Sequence, residues 1–399
     1  VSDNLARQFL LREDVTFLNH GSFGACPRPV FETYQSLQLE LEGEPVEFLG
    51  RRLNDLMRTP REAVAAELGS ASTNIAAVIN ATNGLNIVAQ SLPLKPGDQI
   101  LTTDHEYSAL EKTWAYVCRK TGAEVVVVKV PMPLVSEEAF TDAIIAGMTD
   151  RTKVLFLSHI TSPTALVFPI ERSLAEARKR GIWSVIDGAH TPGHIPLSLD
   201  ALGADFYSGN CHKWMMTPKG SAFLHARPEV QGLLDPLVIS HGWTKESKYP
   251  GALGAFGNSP FIDGIEMQGT RDPSAWLAVP SAIAFRKEND WTSVADHCRQ
   301  LVQDTARRLG ELTGLPPLSS PEFSAPQMVA MPIPECDTAE IHNRLFERYR
   351  IEIPVFKWQD HHIARLSVQG YNSRPQMDKL IDALSELLGL GQARAATAR

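Results

Sequence analysis

From about residue 75 to residue 226 the chain alternates short, uniformly apolar, β-branched runs with amphipathic stretches. The runs are QILTT (99–103), EVVVVKV (124–130), KVLFLSHI (153–160), WSVIDGA (183–189), DFYSGN (205–210) and SAFLHA (221–226). Runs without polar alternation suit strands covered on both faces. Between them lie helix-patterned stretches such as ERSLAEARKR (171–180). This rhythm predicts an α/β fold, a mostly parallel sheet covered by helices.

After about residue 270 the pattern changes. PSAWLAVPSAIAFRKEN and WTSVADHCRQLVQDTARRLGELTG read as two long helices, and 374–390 as a last one. In that last helix Met377, Leu380, Ile381, Leu384, Leu387 and Leu388 recur at helical spacing, with Ser373 as N-cap and Pro375 in the first turn. The tail GQARAATAR (391–399) has little to bury and is expected to fray. A length of 399 residues suggests two domains, or one large α/β domain with an appendage.

The formal net charge of -8, with no basic block, argues against a nucleic-acid partner, because phosphate contacts need clustered Lys and Arg. No apolar run approaches a membrane span, and the first residues show no signal-peptide pattern. Cys26, Cys118, Cys211, Cys298 and Cys336 are scattered and form no CxxC pair. That distribution disfavours a disulfide framework or structural zinc and fits a reducing compartment, the cytoplasm. His361 and His362 are adjacent on a predicted strand and so face opposite ways; with no HExxH, no metal site is expected.

Chemistry concentrates at NCHKW (210–214), between an apolar strand and TPKGSAF. A lysine at the end of a buried strand is costly to desolvate as a cation, which lowers its pKa and frees the neutral amine of Lys213. Alone, an HK pair is an ordinary solvated loop. Its company changes the reading. VIDGAH places Asp187 at the carboxyl end of another buried strand, 26 residues before Lys213. A carboxylate there can pair with a protonated pyridine nitrogen; its ordinary alternative is a turn aspartate capping a helix. INATNGLNIVAQSL (79–92) runs from strand to helix, so Ala81, Thr82, Asn83 and Gly84 can cradle a phosphate at a helix start, or form a plain cap.

The order ATNG, DHEYSAL, SHITSPTALVFPI, DGAH, GNCHKW resembles the class V aminotransferase-like enzymes, pyridoxal 5′-phosphate (PLP) proteins of fold type I. Within them the chain looks most like isopenicillin N epimerase and its relatives. The likeness extends to FLNHGSFGACPRPV (17–30), EPVEFLGRR (44–52) and HIARLSVQGYNS (362–373). It implies a three-layer α/β/α large domain over 16–270 with a mostly parallel seven-stranded sheet. A small α+β domain over 271–390 follows, with residues 1–15 packed against it.

The resemblance also implies roles. Lys213 would hold PLP as an imine and Asp187 would pair with the pyridine nitrogen. His190 would lie near the cofactor's phenolic oxygen. Thr82 and Asn83 would hold the phosphate with help from His212, and Asn210 stands where many relatives carry a phosphate-binding serine. Tyr107 stands where many relatives stack a histidine on the ring, with His105 two positions away as the other candidate. Ser162 or Thr161 would approach the ring oxygen. Thr270 would reach the phosphate of a neighbouring subunit, which makes a homodimer part of the site. Arg365 would clamp a substrate carboxylate, and HGSFG, with His20 and Ser22, would line the substrate entrance. His241, Trp243, Phe356 and Trp358 are candidates for shaping the pocket.

The preferred reaction is epimerisation or racemisation at the α-carbon of an amino-acid-like substrate. A C–S lyase acting by β-elimination is the rival, and a transaminase stands third. A persulfide-forming desulfurase is disfavoured because IEIPVFKWQDHHIAR (351–365) contains no cysteine. A non-enzymatic sensor or scaffold is disfavoured because Lys213, Asp187 and Arg365 are all present.

Overall fold

The computed structural model describes residues 3–244 and 251–390, so the predicted frayed tail lies outside the described residues. A two-residue strand, β1 (Thr16–Phe17), comes first. The large sheet contains β2 (Ile75–Val78), β3 (Gln99–Thr103), β4 (Glu124–Val128), β5 (Thr152–Ser158), β6 (Trp183–Asp187), β7 (Phe206–Asn210) and β8 (Ala222–Ala226). The C-terminal part adds β9 (Met328–Ile333), β10 (Ile351–Glu352), β11 (Val355–Trp358) and β12 (His361–Ser367).

The seven-stranded sheet has the order β2-β8-β7-β6-β5-β3-β4. Strands β7, β6, β5, β3 and β4 are mutually parallel, and β8 runs antiparallel to both β7 and β2. Successive side chains of the central strands feed opposite faces, as strand geometry requires. Leu155, Leu157 and Ile186 enter one core, whereas Val154, Phe156 and Val185 enter the other. Uniform apolarity in these strands therefore reflects burial on two sides.

Strand β4 departs from that expectation. Val125 and Val127 are 38% and 55% exposed. The strand is the end of the sheet, so only the face of Val126 and Val128 meets the core. An apolar run can therefore be half-solvated when nothing lies beyond it.

The small sheet, order β11-β12-β9, is antiparallel. It shares a core with Leu5 and Phe9 from the N-terminus, Leu18, Ala25 and Val30, and the helices Trp291–Thr313 and Arg374–Leu387. The Phe9 ring meets that of Tyr371 at 4.9 Å. The parallel pair of β1 and β10 adds a backbone tie.

Two helical expectations are corrected in detail. The stretch 273–289 is two helices, Ser274–Leu277 and Val279–Glu288, because Pro280 has no N–H to continue the first. The last helix ends at Leu387. It begins as read, with Gln376 Oε1 accepting the Ser373 N–H at 3.2 Å.

Candidate active site

Strands β3, β5, β6 and β7 end on one edge of the sheet. Sheet order reverses direction between β5 and β3, and open α/β sheets leave a crevice at such a point. A cavity of about 540 Å³ lies there, reached by the loops leaving those strands and by the segments around residues 22 and 365.

Lys213 enters this cavity from the loop after β7. Two glycines let other segments press against that loop. Gly24 has φ +70, and a Cβ there would lie 1.9 Å from the His212 carbonyl oxygen and 3.1 Å from Lys213 Cα. Gly193 has φ +78, and its Cβ would meet the Trp214 carbonyl at 2.8 Å. Met216 closes the loop at φ 61 and donates its N–H to the Lys213 carbonyl at 3.0 Å. A side-chain-bearing residue in this left-handed region costs roughly 1–2 kcal/mol, so the surrounding structure holds the loop in place.

The Lys213 side chain is half-buried in the cavity wall. Burial pulls its pKa from 10.5 to about 7; nearby Asp187 opposes the shift and Arg365 adds to it. Its Nζ lies 3.0 Å from His190 Nε2. Asp187 ends β6, lines the same cavity, and accepts the Ala189 N–H at 2.8 Å. Burial raises its carboxyl pKa, while the Ala189 N–H and Lys213 hold it down.

Arg365 projects from β12 into the cavity. It donates through Nη1 to the Ser162 carbonyl and, at 3.3 Å, to Ser162 Oγ. Through Nη2 it reaches Ser22 Oγ at 3.1 Å. Among the described residues its buried Nε has no partner. Desolvation pulls the guanidinium down to about 10, and Tyr107 is the group that opposes this. A buried cation with an idle donor and only neutral oxygens as partners is built to receive an anion.

At the other end of the cavity the Ala81–Ser91 helix begins. Asn80 caps it, its Oδ1 accepting the Asn83 N–H at 2.8 Å. Asn210 Oδ1 takes the Ala81 N–H at 2.8 Å, leaving its amide N–H groups to donate. Asn80, Ala81 and Thr82 line the cavity. Asn83 does not; its backbone N–H is the group that Asn80 caps. His212 and Lys219 close this corner. His212 Nδ1 donates to the Ser221 carbonyl at 3.2 Å, so Nε2 of the neutral ring is an acceptor and becomes a donor to an anion only when the ring is protonated. Lys219 Nζ donates to the Gly24 carbonyl at 3.0 Å.

The remaining candidates separate cleanly. Tyr107 lines the cavity mouth and is 43% exposed. His105 is buried elsewhere, with Nδ1 on Thr164 Oγ1 at 2.8 Å and its ring against Phe168 and Trp358. Ser162 faces the cavity, whereas Thr161 bonds Thr164 and the Leu166 N–H.

His20 is a correction. It is fully buried, with Nε2 on the Lys213 carbonyl at 3.1 Å and Nδ1 on Tyr371 Oη at 3.0 Å, so it braces the lysine loop from behind. Its neighbours Gly21, Ser22 and Phe23 face the cavity instead. Thr270 and His241 line a separate pocket with Leu53, Met57 and Arg271. Trp243 lines another, and Phe356 and Trp358 pack on the core.

Several cavity residues carry little signal in the sequence. Asn80 is legible in retrospect as a helix cap. Lys219 hides in a Pro-Lys-Gly turn, and Ser158 reads as one more strand residue. The donor set as a whole fits PLP: a near-neutral amine, a buried acid, a helix start flanked by a histidine and a lysine, and an idle guanidinium N–H.

The Aminotransferase class-V family matches residues 22–380. The isopenicillin N epimerase of Amycolatopsis lactamdurans is 37% identical over 390 residues, covering 96% of this chain and 98% of that one. Putative L-cysteine desulfhydrase 1 of Oryza sativa subsp. japonica is 29% identical, covering 94% and 84%. The apo structure of the cysteine desulfurase from Thermococcus onnurineus NA1 superposes with a TM-score of 0.81 at 19% identity, covering 98% of each chain.

Proposed function

Because the chain belongs to the class-V aminotransferase family, we propose that it is a PLP-dependent epimerase or racemase acting at the α-carbon of an amino-acid-type substrate. One observation carries the reading: the Lys213 amine, the Asp187 carboxyl and the Arg365 guanidinium all line one cavity.

When bound, PLP supplies a cationic ring that withdraws electrons from the substrate's α-carbon. Lys213 holds it covalently and Asp187 binds the ring nitrogen. The corner of Asn80, Thr82, Asn210, His212 and Lys219 takes the phosphate. Arg365 orients the substrate carboxylate through Nε and Nη2. With its pKa near 7, Lys213 Nζ can both remove and return a proton near neutral pH. Inversion needs a second proton carrier on the opposite face. We assign that part to Tyr107 Oη, since His105 lies outside the cavity.

Incubation with a panel of amino acids in deuterated water tests the reading. Solvent deuterium at Cα with inverted configuration is the expected result. Pyruvate with ammonia and sulfide from cysteine would instead establish a C–S lyase, a second reading favoured by the similarity to the rice desulfhydrase. Transfer of the amino group from an amino acid to a keto acid would make it a transaminase. Cys336 Sγ lies 3.8 Å from His362 Nδ1 and lines no part of the cavity, which speaks against a persulfide-forming thiol.

We further propose a homodimer whose second copy completes the site. Thr270 lies outside the cavity of its own chain, and exposed apolar side chains at Val238, Ile239, Leu253 and Phe256 occupy the same region of the sequence. Sedimentation equilibrium should return twice the chain mass. Among the described residues no helix is long and apolar enough to cross a membrane. All five cysteines are unpaired, which supports a cytoplasmic location.

A further inference from the structure

Trp214 follows the lysine directly and is fully buried. An indole N–H can only donate. Here it points at His190, with Nε1 3.4 Å from Nδ1. His190 Nδ1 must therefore offer a lone pair, and a neutral imidazole then carries its one proton on Nε2. That nitrogen stands 3.0 Å from Lys213 Nζ. An ammonium has three donors and no lone pair, so it cannot accept from an N–H. The contact is satisfied only when the lysine nitrogen is the acceptor.

The indole is itself locked. It stacks on His194 with centroids 3.8 Å apart and planes at 19°. His194 is fixed in turn, since its Nδ1 donates to the His190 carbonyl at 3.1 Å and its Nε2 accepts the Gln327 N–H at 3.0 Å. On another side lies His20, ring centroid 5.0 Å away. The groups that bear on His190 are Lys213 and His212 in the lysine loop, His194 four residues on, and Arg365 from β12. Each disfavours a second proton on the imidazole, as does burial, so its pKa lies well below 6.5. Asp187, from β6, faces Lys213 and favours a proton there instead.

We infer that Trp214 is a positioning residue whose indole N–H fixes His190 in the Nε2–H tautomer, so that the imidazole presents a donor to the lysine nitrogen. The inference rests on the PLP reading given above. Its consequence is a lowered proton affinity at the nitrogen that Lys213 contributes to the bound cofactor. Without the indole N–H, His190 can adopt the other tautomer and accept a hydrogen bond from that nitrogen, which raises its proton affinity.

The test is a spectrophotometric pH titration of the holoenzyme and its Trp214→Phe variant. Phenylalanine keeps an aromatic face for His194 and removes the N–H. The midpoint of the change in the visible band should move up by about 1 pH unit or more, a tenfold gain in proton affinity. An unchanged midpoint in a folded, cofactor-loaded variant would overturn the inference. A second measurement needs no Trp214 variant. In ¹⁵N-histidine-labelled wild-type holoenzyme, the signal missing from His190→Gln should show the proton on Nε2; a proton on Nδ1 overturns the assignment. Absence of any borohydride-sensitive visible band in the wild type would sink the PLP reading instead, a different failure.

Discussion

Arg365 Nη2 donates to Ser22 Oγ at 3.1 Å, a bond between residues 343 positions apart. Ser22 Oγ is oriented for it, because its own proton goes to Asn19 Oδ1 at 2.5 Å. One guanidinium thus joins the N-terminal loop, the loop after β5 and the small sheet around the cavity. Among the described residues it has no carboxylate partner, so its charge is left for a ligand.

Replacing Arg365 by lysine should therefore hurt although the charge survives. An ammonium lacks the planar fork and cannot serve Ser22, Ser162 and a substrate carboxylate together. We expect kcat/KM to fall roughly 10²–10³-fold, mostly through KM, which corresponds to about 3–4 kcal/mol. The visible spectrum of the bound cofactor should be unchanged. Steady-state kinetics beside the absorption spectrum checks both halves.

Glu106 gives a prediction about stability and pH. It is buried behind the cavity wall, where Thr103 and Ser158 donate to its two oxygens at 2.7 and 2.6 Å. Burial pushes its carboxyl from 4.5 up to about 8; the two hydroxyls act against this and Asp187 adds to it. The folded protein thus holds a proton on Glu106 across that interval while the unfolded chain does not. Stability from this group is fully present below the unfolded value and is lost as pH rises through the folded one. Glu106→Gln imitates the neutral acid and removes the dependence. Its stability relative to wild type should rise between pH 5 and pH 8 by a few kcal/mol at most, on the order of 3. Urea unfolding of both proteins at the two pH values measures it; a constant difference would show that Glu106 is ionised throughout.

Much of this architecture could be read from residue order. The central strands announce themselves because two-sided burial leaves no room for polar alternation, and Asp187 and Lys213 are conspicuous because an acid and an amine are unexpected at the ends of such runs. What escaped depends on direction in space. The EVVVV run of β4 has the composition of an interior strand, and only its place at the end of the sheet exposes Val125 and Val127. HGSFG does border the cavity, but it forms a single helical turn, His20–Phe23, that sends His20 inward to brace the lysine loop. The same holds at the helix start, where Asn80 and Asn83 differ by one turn and only the first faces the cavity. Trp214 carries no periodic signal, and its partner His190 lies on another loop.

Tyr107 separates proton removal from inversion. Lys213 alone can exchange the α-proton with solvent on its own face, whereas delivery from the other face needs the phenol. Tyr107→Phe keeps the ring and removes that proton. Inversion should drop roughly 10²–10⁴-fold while deuterium exchange with retained configuration persists. Chiral chromatography combined with mass spectrometry of recovered amino acid distinguishes these. Equal loss of both would assign the phenol to binding rather than proton delivery.

Gly24 tests how tightly the lysine loop is held. At φ +70 a Cβ would sit 1.9 Å from the His212 carbonyl oxygen, and that atom belongs to the backbone, so it cannot swing aside. Gly97 is the natural comparison: its φ is +86, but nothing lies within 4 Å of its Cβ position. Alanine at either site meets a positive-φ backbone cost of roughly 1–3 kcal/mol, and at Gly24 the ψ of 164 lies outside the left-handed helical well. Only at position 24 must the chain carrying His212 and Lys213 also move, which adds about 1–3 kcal/mol of overpacking. Gly24→Ala should thus lower the denaturation midpoint further than Gly97→Ala. It should also weaken cofactor retention during dialysis, an effect that Gly97→Ala should not show. If the two variants retained the cofactor equally, the contact between Gly24 and the lysine loop would have no part in holding the amine in place.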